Sequence, residues 1–90
     1  MSNIVRGTLV KRLRRLKFIV DTLDDGEQHS NEEIVEKWRE LSGDDVVGRT
    51  IQRDVELLVE FGASIKGRCI IYKAEGKIEL VTVLTNILNG

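Results

Sequence analysis

Apolar residues recur at Leu9, Leu13, Leu16, Val20 and Leu23, in alternating steps of four and three. Such steps return to one side of a helix that turns about 100° per residue, so they predict an amphipathic first helix. Lys11, Arg12, Arg14 and Arg15 fall across its other side and are expected to form a solvated basic face. Phe18 lies off the stripe, where an aromatic is usually covered by another element or a second subunit. Asp24-Asp25-Gly26 supplies turn chemistry, and Ser30 with Glu33 three residues on is a capping-box signature that starts a second helix near Asn31. In that helix Ile34, Trp38 and Leu41 share one face with Val35 beside them, while Glu32, Glu33, Glu36 and Glu40 point outward. The spacing makes Trp38 a core anchor rather than a ligand-stacking residue.

After the connection Ser42-Gly43-Asp44-Asp45, the stripe Val47, Ile51, Val55 and Leu58 predicts a third helix reaching about Phe61, with Gly62 at its C-terminal end. Ala63 to Lys66 and Cys69 to Lys73 then flank Gly67-Arg68, the pattern of a β-hairpin with a two-residue turn. The stretch from Lys77 to Asn89 suits a strand by its β-branched content and a helix by its periodicity; the helix is preferred. As a helix it gathers Leu80, Val81, Val83, Leu84, Ile87 and Leu88 over an arc of about 160°, broader than one neighbour needs, so a second partner is expected.

Composition narrows the possible roles. Ninety residues, 41% hydrophobic and 32% charged, suit a single core, and the absence of proline favours helices. The expected organisation is a domain over residues 1–76 followed by a C-terminal helix over 77–90 that mediates dimerisation. No apolar run approaches the roughly 20 residues of a membrane span, and basic residues interrupt the N-terminus where a secretory signal would be apolar, so no membrane contact and a cytoplasmic location are expected. Cys69 and His29 are each the only residue of their type, which leaves no internal disulfide and no zinc set; neither metal nor cofactor is expected. No nucleophile-and-base pair or phosphate-binding glycine loop stands out, so the chain is not expected to be an enzyme.

The net charge of −1 hides a strong asymmetry. Residues 1–20 hold six basic and no acidic side chains, residues 21–47 ten acidic against two basic, and residues 48–77 six basic against four acidic. Within the last of these, Arg49-Thr50-Ile51-Gln52-Arg53-Asp54-Val55-Glu56-Leu57-Leu58 is followed by Phe61-Gly62 and the Ile65–Tyr72 hairpin. This arrangement resembles the N-terminal winged helix-turn-helix of WYL-domain and DeoR-type bacterial transcriptional regulators, over about residues 8 to 73. The resemblance implies a mainly α fold of three helices and a two-stranded wing, here with an added C-terminal helix. It also implies that the third helix enters the major groove of double-stranded DNA while the wing approaches the backbone.

On that placement Arg49, Gln52 and Arg53 lie opposite Ile51 and Val55, towards the base edges; arginine can bridge guanine acceptors and glutamine can pair with adenine. Thr50 is expected to donate to phosphate, and Arg14, Arg15, Lys66 and Arg68 to contact the backbone. Asp54 is read as structural, orienting an arginine or bonding a backbone amide. The chain departs from its relatives before the third helix, where a Ser or Thr cap is replaced by Asp44-Asp45-Val46-Val47-Gly48, and the cap is expected to move to Asp44 or Asp45. The effector-sensing domain of the WYL proteins has no counterpart in these residues, so regulation is expected through partners, abundance or oligomerisation. The leading expectation is a homodimeric bacterial or phage-like DNA-binding regulator paired through Leu80, Val83, Leu84, Ile87 and Leu88. The alternative is a module of the same fold that docks another protein through its acidic face, which the near-neutral charge favours.

Overall fold

The computed structural model describes residues 3–68 and 70–89, with residues 3–8 and Arg68 described as backbone only. The expected strand position of Cys69 and the expected phosphate contact of the Arg68 side chain therefore lie outside the described residues. Four helices and three short strands are described: α1 (Asn3–Leu23), β1 (His29–Ser30), α2 (Asn31–Ser42), α3 (Gly48–Glu60), β2 (Ile65–Arg68), β3 (Ile71–Ala74) and α4 (Leu80–Asn89). The fold is mainly helical with one antiparallel sheet in the order β1-β3-β2. None of the described helices is long and apolar enough to cross a membrane.

The core gathers Leu16, Ile19, Val20 and Leu23 of α1, Ile34 and Val35 of α2, and Ile51, Val55 and Leu58 of α3. Burying a side chain of this size contributes roughly 1.5–3 kcal/mol, so the three helical stripes carry most of the stability. Those of α1 all lie in its second half, and Leu9, expected on the core stripe, is 49% exposed. Phe18 is covered by Trp38, the ring centroids standing 5.3 Å apart in a tilted pair. Leu41, expected beside Trp38 in the core, is exposed at the last turn of α2, and Val47 is exposed as well. Val47 is the residue before α3 and has extended backbone, so the helical period that placed it on the buried stripe does not yet apply.

Ser30 caps α2 as its sequence suggests: its Oγ accepts the Glu33 N–H at 3.1 Å. Strand β1, too short to leave an alternating pattern in the sequence, pairs His29 with Tyr72 and Ser30 with Ile71. The hairpin register also differs from expectation. Gly67 stands opposite Tyr72 and Arg68 opposite Ile71, so both belong to β2 and are not the two-residue turn. Gly67 has φ 135°, and a Cβ there would stand 1.9 Å from the Ile71 carbonyl oxygen, so glycine serves close strand approach and not the turn. Residues 80–89 form a helix, as preferred over a strand; it packs on α1, and Ile78 ahead of it is buried.

Candidate nucleic-acid interface

Helix α3 is amphipathic, with Ile51, Asp54, Val55 and Leu58 buried, and this fixes what its other side shows. Arg49, Gln52, Arg53 and Glu56 follow the i, i+3, i+4, i+7 spacing of one face. They line a groove of about 490 Å³ that is completed by Asn31, Gly48 and Ile70. Arg49, Arg53 and Glu56 are exposed, Gln52 is half-buried, and Ile70 presents an apolar side chain that is 65% exposed. Among the described residues no ion pair holds Arg49, Arg53 or Glu56. Thr50 is half-buried and does not line the groove; its amide donates to the Val47 carbonyl at 3.0 Å.

Two anchors hold α3 in this position. Asn31, at the start of α2, is buried and joins three elements: its Nδ2 donates to the Gly48 carbonyl at 2.8 Å, and its Oδ1 accepts from the Tyr72 hydroxyl at 3.3 Å. Its backbone N–H donates to the Ile70 carbonyl at 2.6 Å, which ties the end of the hairpin to the same point. A Cβ on Gly48 would stand 2.6 Å from Asn31 Nδ2, so the first residue of α3 must be small for the helix start to approach. The second anchor is Asp54, 1% exposed, whose carboxylate takes the Arg15 guanidinium in a fork: Nε on one oxygen and Nη2 on the other at 3.2 Å. Arg12 Nε lies 3.5 Å from the same carboxylate. A buried carboxylate needs such partners, because desolvating an unpaired charge is costly.

That pairing corrects the reading of the α1 basic face. The Arg15 side chain is only 11% exposed and faces α3 instead of solvent. Lys11 reaches Asp44 at 3.4 Å and Lys17 reaches Asp21 at 2.7 Å. Arg14 is exposed and lines a separate groove between α1 and α2, with Lys17, Phe18, Asp21, Trp38, Leu41 and Ser42; it shares no lining residue with the α3 groove. Neither Asp44 nor Asp45 caps α3, which starts with no side-chain cap. Asp44 instead accepts from Trp38 Nε1 at 3.1 Å, and that bond, with Lys11 beside it, holds its carboxyl below the ordinary value. Asp45 pairs with Arg39 at 3.1 Å.

On the hairpin, Lys66 is exposed directly opposite Lys73, and the two line a groove of about 360 Å³ with Gln28, Ile70 and Ile71. Of the residues expected on a dimer face, Val83 is 2% exposed and belongs to this chain's own core. Leu80, Leu84 and Ile87 are half-buried against that core, while Leu88 and Val81 are 62% and 79% exposed. Helix α4 therefore covers most of its apolar side internally, and the open strip is narrower than the sequence implied.

Sequence reasoning missed Asn31, Glu56, Ile70 and Lys73. The i+7 step from Arg49 could have found Glu56; the others depend on where the hairpin docks. No protein-family model matches the chain, and neither a curated protein nor a solved structure matches it.

Proposed function

We propose that this chain is a winged helix-turn-helix DNA-binding domain of a transcriptional regulator, with α3 in the major groove and the β2–β3 hairpin as its wing. The observation that carries the reading is the row Arg49, Gln52 and Arg53: exposed or half-buried, without an ion-pair partner among the described residues, and borne on a helix held by Asp54 and Asn31. Free donors on a held helix suit base reading, because the backbone that carries them needs no reordering on binding and their hydrogen-bonding capacity is not already taken. Lys66 at the hairpin supports a phosphate contact beside it. The resemblance to WYL-domain and DeoR-type regulators gives the same assignment.

Val81 and Leu88, left open on α4, support a homodimer whose two recognition helices enter successive major grooves of an inverted repeat. A second reading has its own support. Glu32, Glu36, Val46 and Val47 line an open groove of about 700 Å³ beside α2, which would suit docking of another protein. Selection from random duplex DNA separates the two. The DNA reading expects an enriched site, and Arg49→Ala and Arg53→Ala each weaken it by about 1–3 kcal/mol where the contact is bidentate to a base. Equal affinity of wild type and the double variant for that site, at one salt concentration, removes the assignment of α3.

A further inference from the structure

We infer that Glu56 is a specificity-determining residue of α3 that selects cytosine, an inference that rests on the DNA-reading role proposed above. Glu56 shares one groove and one helical face with Arg49, Gln52 and Arg53. Asp54 is engaged with Arg15 and Arg12, Asp44 with Trp38 and Lys11, and Asp45 with Arg39, while Glu60, exposed at the end of α3, does not line this groove. Glu56 is exposed, and no described cation lies within ion-pair reach of it. An unpaired negative charge on a DNA-facing surface repels phosphate and lowers affinity for every sequence alike. It gives something back only where it meets a donor on a base edge.

A carboxylate accepts hydrogen bonds and donates none, which restricts the bases it can meet. In the major groove guanine offers N7 and O6, both acceptors, and thymine offers O4 and a methyl group, so these repel or ignore it. Adenine presents its N6 amino group beside the acceptor N7. Cytosine presents the N4 amino donor with no acceptor next to it, and is the base that a carboxylate prefers. Glu56 is seven residues beyond Arg49, which is about 10.5 Å along a helix and so up to about three base pairs along the groove. The recognised site should then contain a cytosine, or its paired guanine, up to about three base pairs from the position read by Arg49.

The test uses the full chain as wild type, Glu56→Gln and Arg53→Ala, each selected on random duplex DNA and then titrated at one salt concentration against every single base-pair change in the wild-type site. The wild type should disfavour replacement of the cytosine by roughly five- to tenfold. Glu56→Gln, which keeps the shape and removes the charge, should lose that preference or shift it to adenine while the base pairs lost in Arg53→Ala stay read. A uniform rise in affinity with unchanged preferences overturns the inference, because Glu56 would then only repel phosphate. Loss of the same base pair in Glu56→Gln and Arg53→Ala also overturns it, because Glu56 would then merely orient the arginine. A wild type that selects a site and shows no base pair dependent on Glu56 defeats this inference alone; a wild type that selects no site defeats the DNA reading together with it.

Discussion

The cations of α1 and those of α3 differ in what stands opposite them. Along α1, Lys11 faces Asp44, Arg12 and Arg15 converge on Asp54, and Lys17 faces Asp21. Along α3, Arg49 and Arg53 line an open groove with Gln52 and Glu56, and among the described residues neither arginine is in an ion pair. The N-terminal segment is the more basic by composition, yet much of its charge is spent on holding the helices together. Availability of a cation is decided by its partner, so the less basic helix presents the freer charge. Segment charge alone therefore overstates how much of the α1 charge stands without a partner.

The sharpest way to break this contrast is to remove the acid on which α1 and α3 meet. Asp54→Ala leaves the Arg15 guanidinium, 11% exposed, beside an apolar core without its carboxylate. Breaking a buried pair from one side costs about 3–5 kcal/mol. The Arg49→Ala and Arg53→Ala double variant removes exposed groups and should change stability by no more than about 0.5 kcal/mol. Urea unfolding of the three proteins compares them directly. A loss in Asp54→Ala no larger than in the double variant would show that Asp54 does not anchor α3.

The Asn31 anchor should come next in size. Asn31→Ala leaves the Gly48 carbonyl and the Tyr72 hydroxyl without the bonds it makes to them, a loss of about 1–3 kcal/mol. Gly48→Ala forces its new methyl to within 2.6 Å of Asn31 Nδ2 and should destabilise the wild-type background. In the Asn31→Ala background that clash is gone, and Gly48→Ala should cost little there. The two substitutions should therefore be strongly non-additive in a double-mutant cycle. Simple additivity would mean that the helix start relaxes away from Asn31 without cost.

These two anchors mark the limit of what the chain shows as a sequence. The row Arg49, Gln52, Arg53 and Glu56 is legible because the helical period alone puts those residues on one face, and the stripes of α2 and α3 are legible for the same reason. The fork between Arg15 and Asp54 is legible only in part: Asp54 reads as a structural residue that orients an arginine, but which arginine depends on how α1 rolls against α3, 39 residues away in the chain. Arg14 and Arg15 are neighbours in sequence, but the turn of about 100° between them sends one to an open groove and the other to a buried carboxylate. Asp44 and Asp45 have the right chemistry for a cap, but Trp38 and Arg39 reach them first. Strand β1 has only two residues, too few for alternation to register.

Histidine gives a smaller effect with a defined pH dependence. His29 is buried between two carboxylates: Nδ1 is bonded to Glu33, and Nε2 lies 2.8 Å from Asp25, while Lys37 reaches Glu33 at 3.1 Å. Two acceptors ask for a proton on both ring nitrogens. Burial opposes that charge, but the bonds to Glu33 and Asp25 outweigh it and raise the His29 pKa above 6.5. The Glu27 amide and His29 hold the Asp25 carboxyl below its ordinary value, and bonds from His29 and Lys37 do the same for Glu33. A raised histidine pKa stabilises the fold below the unfolded value, and that gain is lost as pH rises through the folded one. The lowered carboxyl values stabilise it above their unfolded values, and that gain is lost as pH falls. The cluster should thus contribute most between about pH 4.5 and 6.5. The stability difference between wild type and His29→Gln, followed by thermal unfolding, should shrink from pH 6 to pH 9; a difference independent of pH would mean that the ring is neutral throughout.

The smallest expected effect lies two residues from one of the largest. Lys17 and Asp21 approach to 2.7 Å, but their side chains are 62% and 58% exposed. Water screens such a pair, and holding two long side chains in one geometry costs side-chain entropy, so helix pairs of this kind contribute only about 0.3–0.5 kcal/mol. Lys17→Gln should lower stability by no more than that in dilute buffer. The loss should shrink markedly at about 1 M salt, where the screening length falls to about 3 Å, close to the separation of the pair. Arg15→Gln takes one positive charge from the same helix and should cost several times as much, with little change in salt, because its carboxylate partner is 1% exposed. Running both variants through the same salt series tests burial, not distance, as the cause. If Lys17→Gln kept its full cost in high salt, or Arg15→Gln lost its cost there, the two cations would be alike and the contrast drawn between paired-in and open charge would fail on its own helix.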